Sequence, residues 1–69
     1  MTKYLVQQGT DFAPVYWNSK FETSMFEITD ELLSSAWTNP TEPTRLRNLW
    51  NSYGNYKCVF KVVAVETES

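Results

Sequence analysis

The sequence predicts a small α+β domain: an antiparallel sheet of three to four strands with an αα-hairpin packed on one face, in the order β-β-β-α-α-β. Three observations lead there. Segments near both ends of the chain are rich in β-branched and aromatic residues, which suit a pleated surface. Between them, Thr29-Asp30-Glu31 stands before Leu32-Leu33, the pattern of a helix start. Beyond that, Leu46, Leu49, Trp50 and Tyr53 recur at i, i+3, i+4 and i+7, one stripe of a second helix.

In chain order, residues 3–8 (Lys-Tyr-Leu-Val-Gln-Gln) read as a strand stopped by Gly9-Thr10-Asp11. Val15-Tyr16-Trp17 reads as a second, shorter strand, which Pro14 would confine to a sheet edge. Residues 21–28 fit two patterns. As a strand they place Phe26 and Ile28 on one face and Phe21 and Met25 on the other; as a helix they align Phe21, Met25, Ile28 and Leu32, with Ser19 and Glu22 spaced as a capping box. The strand is preferred because the stronger helix start follows it. There Thr29 can accept from the free amides of the first turn, and Asp30 and Glu31 face the positive end of the helix dipole. This helix is expected to reach about Trp37 and stop before Pro40.

The second helix is expected to begin near Pro43, where a missing amide costs little, and to stop at Gly54. Residues 56–65 form the clearest strand, with Tyr56, Cys58, Phe60, Val62 and Ala64 on one face and Lys57, Val59, Lys61, Val63 and Val65 on the other. Its apolar C-terminal half on both faces implies a central or doubly covered strand. One domain is expected over residues 1–65, with an acidic, fraying tail over 66–69.

Composition narrows the chemistry. At 69 residues the chain has room for one core, and a chain this small buries only about 60% of its unfolded surface. Cys58 is the sole cysteine and there is no histidine, so neither an internal disulfide nor a structural zinc site is expected. Aromatic side chains make up 16% of residues and supply area instead. Without histidine the commonest general acid/base is missing. Cys58, mid-strand beside Phe60, reads as a small hydrophobe, and Asp30 and Glu31 are explained by the helix start. Gly9 and Gly54 make no phosphate loop. The expectation is a non-enzyme with no metal and no cofactor. The opening MTKYLVQQG lacks the apolar run of a signal peptide, and no segment approaches the ~20 apolar residues of a membrane span. A reducing cytoplasm is the expected setting, and the size suits a phage- or plasmid-borne protein.

Charge is mild overall at −2 but uneven in position. Residues 11–42 carry Asp11, Glu22, Glu27, Asp30, Glu31 and Glu42 against Lys20 alone, whereas Arg45, Arg47, Lys57 and Lys61 occur without an acid among them. Two functions follow from this. The first is docking, as a small regulator or inhibitor, on a larger protein. Tyr16, Trp17 and Phe21 would form the aromatic anchor, and Asp11, Glu22 and Glu27 would steer toward a basic surface. The alternative is nucleic-acid binding through the basic and aromatic segment 45–61, using Arg45, Arg47, Lys57 and Lys61. The acidic balance, with a pI near 4.9, favours the first. Monomer and homodimer both remain open.

Overall fold

A computed structural model describes residues 1–9, 12–21, 23–25, 27–53 and 59–67. The elements are β1 (Thr2–Gln8), β2 (Val15–Trp17), β3 (Thr23–Met25), α1 (Asp30–Ser34), α2 (Thr41–Ser52) and β4 (Phe60–Glu66). This is the α+β class and element order that the sequence implies. All strand pairs are antiparallel, in the sheet order β3-β2-β1-β4. Residues 21–28 supply β3, so the strand alternative holds there; Glu22 and Phe26 lie outside the described residues.

The centre of the sheet is β1, not the C-terminal strand. Seven residues of β1 pair with β4, from Thr2 with Glu66 to Gln8 with Phe60. Its other edge takes β2 at Val6, Gln7 and Gln8. Nearer the start of β1, Tyr4 exchanges two backbone hydrogen bonds with Trp37, at 2.7 and 3.1 Å. Leu5 and Val6 point to opposite faces of one strand, and both are 0% exposed. Both faces are therefore covered at β1, and burying each of these side chains contributes about 1.5–3 kcal/mol.

Two expectations about strands give way here. Of the two readings of the valine-rich β4, central or doubly covered, the central one fails, because β4 is an edge strand. It runs from Phe60 to Glu66, while residues 56–58, Cys58 among them, lie outside the described residues. The second strand is interior, between β1 and β3. Pro14 precedes it, so the missing amide is never asked to join the ladder.

The helices also differ in detail. Thr29 caps α1 as expected, its hydroxyl accepting from Leu32 N at 3.2 Å. The helix then stops at Ser34, short of Trp37, because the Trp37 backbone is committed to Tyr4. That bridge carries the chain along the edge of β1, so the helices do not stack as a hairpin on one face. Register puts Lys3, Leu5, Gln7 and Tyr16 on one face and Tyr4, Val6, Trp17 and Phe60 on the other. From the first face Lys3 Nζ donates to Leu33 O of α1 at 3.0 Å; on the second, Trp50 of α2 packs on Phe60.

Helix α2 begins at Thr41, whose N–H donates to Asn39 Oδ1 at 2.9 Å, two residues before the expected start at Pro43. Pro43 is fully buried in the first turn, where no amide partner is needed. Its burial shifts the inward stripe to Pro43, Leu46 and Trp50. Leu49 and Tyr53, expected in the core, are 47% and 56% exposed. Gly54, the expected stop, lies outside the described residues.

Candidate functional site

Three contacts converge on Trp50. Its ring centroid lies 5.0 Å from Phe60, 5.7 Å from Trp17 and 6.4 Å from Phe21, with interplanar angles of 55°, 60° and 57°. These tilted arrangements suit aromatic quadrupoles, each pair being worth about 0.5–1.5 kcal/mol beyond its buried area. The sheet supplies Trp17 from β2 and Phe60 from β4, while α2 lays Trp50 over them. Trp17 Nε1 donates to Gln8 Oε1 at 3.0 Å, which satisfies the indole and fixes its ring. Gln8, Trp17, Trp50 and Phe60 together line a cleft of about 300 Å³.

Phe21 closes one side of the group in an unusual backbone state. Its φ is 58°, in the left-handed region that bulky residues avoid at a cost of about 1–2 kcal/mol. The turn that holds it there is built by Asn18, which is 0% exposed. Asn18 O accepts from Phe21 N at 2.9 Å, Asn18 Oδ1 accepts from Lys20 N at 3.1 Å, and Asn18 Nδ2 donates to Leu32 O at 3.1 Å. One buried amide thus ties the β2–β3 turn to α1. Phe21 stays 53% exposed despite the conformational cost.

Beside this group Leu49 of α2 and Tyr53 at its C-terminal end are exposed. A shallow groove of about 430 Å³ along the same helix is lined by Glu42, Arg45, Leu46, Asn48 and Leu49. Phe12, in the connection between β1 and β2, is 95% exposed.

Of the expected docking residues, Trp17 and Phe21 meet at Trp50. Tyr16 is half-buried on the opposite face of the sheet, with Gln7 and Ser24 as its register partners, and does not join them. Glu27 is exposed; Asp11 and Glu22 lie outside the described residues. Of the basic residues, Arg45 sits 3.7 Å from Glu42, and Arg47 donates through Nε and Nη2 to Asn48 Oδ1 at 3.1 and 2.7 Å. Lys61 extends from the face of β4 opposite α2, and Lys57 lies outside the described residues. Trp50 and Phe60 were legible only as core residues. Asn18 carried a usable signal, since asparagine directly after a strand favours such side-chain turns.

No protein-family model, curated protein or solved structure matches this chain. Among the described residues no group of three or more potential ligands could hold a metal ion, and no helix is long and apolar enough to cross a membrane.

Proposed function

We propose that this is a non-enzymatic binding protein, a small regulator or inhibitor that docks on a larger protein through the surface around Trp50. The observation that carries it is Phe21: a large ring held half in solvent, on a strained backbone, against a tryptophan that already has two other aromatic neighbours. Strain kept at an exposed aromatic residue does little for the fold, and a binding anchor accounts for it. Leu49 and Tyr53 extend the apolar surface along α2, and the cleft between Trp17 and Phe60 offers space for one inserted side chain. Tyr16 is set aside as an anchor because it belongs to the other face.

Nucleic-acid binding draws less support. Arg45 and Lys61 belong to opposite sides of the sheet, and Arg45 has a carboxylate beside it.

The test is capture from nuclease-treated lysate with wild type, Phe21→Gly and Tyr53→Ser compared at equal folded concentration. A protein retained at fixed stoichiometry by wild type and lost with both variants supports docking at this surface. Retention by both variants sinks it, and recovery of material only when nuclease is omitted transfers the function to Arg45, Arg47, Lys57 and Lys61.

A further inference from the structure

The free edge of β4 has an order that its hydrogen bonds reveal. In a strand the N–H and C=O of one residue point to the same side, and the side alternates along the chain. Phe60 N–H donates to Asn51 Oδ1 at 3.1 Å, and Phe60 C=O accepts from Asn51 Nδ2 at 3.2 Å. The side-chain amide of Asn51 therefore caps Phe60 as a neighbouring strand would. Thr67, an odd-numbered position, donates instead toward β1, to Met1 O at 2.8 Å. Even-numbered positions of β4 face outward, and beyond the capped Phe60 these are Val62, Ala64 and Glu66. Their outward N–H and C=O groups have no partner among the described residues.

We infer that a second copy of this chain pairs here, antiparallel, about a two-fold axis at Ala64. The three open positions are symmetric about that residue. Val62 would exchange hydrogen bonds with Glu66 of the second copy, Ala64 with its own image, and Glu66 with Val62, about six bonds in all. Strand β4 of the second copy ends at Glu66, opposite Val62, and so stops short of Phe60 and Asn51. Registers centred on Val62 or Val63 place Phe60 opposite Ala64 or Glu66 within the second copy's β4 and must displace Asn51, so they are disfavoured. In the Ala64 register Val63 lies opposite Val65, an apolar cross-strand pair, on the face away from α2. Ala64 is exposed and small, leaving room at the axis. The pairing segment Val62–Glu66 has no proline or glycine, and its one charge, Glu66, stands at the end, so few of the usual devices that discourage such pairing are present. The product is one eight-stranded sheet. It does not depend on the docking surface around Trp50.

Sedimentation equilibrium of the whole chain tests this. Wild type is expected to shift reversibly, with rising concentration, toward about twice its 8.1 kDa mass. Ala64→Pro removes the outward N–H at the axis and leaves the β1 ladder intact, because that N–H takes no part in it. It should weaken association by about tenfold or more while the circular dichroism stays native. Ala64→Lys places like charges face to face at the axis and should abolish the dimer, and an equimolar mixture with Ala64→Glu should restore it. That rescue keeps the test sound even if the proline variant folds poorly. A wild type that stays monomeric into the millimolar range, or a dimer that persists unchanged in Ala64→Lys, overturns the inference.

Discussion

At the scale of single residues, Asn18 and Phe21 carry opposite kinds of evidence. Asn18 is buried with its polar atoms matched, and it joins the β2–β3 turn to α1. Replacing it with alanine strands the Lys20 amide and the Leu32 carbonyl, so Asn18→Ala should lose about 1–3 kcal/mol in urea denaturation. Asn18→Asp adds a sign. A carboxyl group buried against the Leu32 carbonyl has its folded-state pKa raised above the unfolded value of about 3.9. The variant should thus be least destabilised in acid and lose stability as pH rises, which a pH series of melting curves would read. Phe21 behaves differently. Glycine relieves its left-handed backbone but forfeits the contact with Trp50 and frees the unfolded chain, so Phe21→Gly should change stability by under about 1 kcal/mol. A large loss of stability there would show that Phe21 is a core residue, and its standing as a binding anchor would fall. The aromatic richness around Phe21 was legible in the sequence. Its positive φ was not, because the turn depends on an asparagine amide reaching a helix fourteen residues further on.

At the scale of elements, legibility followed how local the cause was. The start of α1 rests on Thr29 and its own first turn, and it lies where the sequence puts it. The end of α1 does not, because Trp37 is taken by Tyr4 from a strand near the other end of the chain. Helix α2 was visible from its spacing, yet the same spacing allows two adjacent stripes. Burial of Pro43 chose the one through Trp50 and left Leu49 and Tyr53 outside. The consequence is testable by thermal melting. Leu49→Lys should shift stability by no more than about 0.5 kcal/mol, as for ordinary surface substitutions, whereas Trp50→Ala should cost about 3–5 kcal/mol and leave so small a domain largely unfolded. If Leu49→Lys proved as damaging as Trp50→Ala, the helix would be turned the other way. Strand β4 shows the same limit. Its alternation was plain, but central and edge positions look alike in sequence when both faces of the sheet are covered.

At the scale of the whole molecule, the two proposed surfaces bear on each other through symmetry. A two-fold axis at Ala64, normal to the sheet, keeps each face of one copy continuous with the same face of the other. Both Trp50 clusters then lie on one side of the eight-stranded sheet. Two docking sites facing the same way can engage neighbouring targets together, and the second contact benefits from a raised effective concentration. Wild type should therefore dissociate at least tenfold more slowly than Ala64→Lys from a densely immobilised partner, measured by surface plasmon resonance. Both should bind equally to the same partner as a soluble monomer in excess. Equal dissociation from the dense surface would mean that the paired sheet does not present both clusters to one side. A difference already present in free solution would mean that Ala64 touches the partner directly, and β4 would then belong to the docking surface itself.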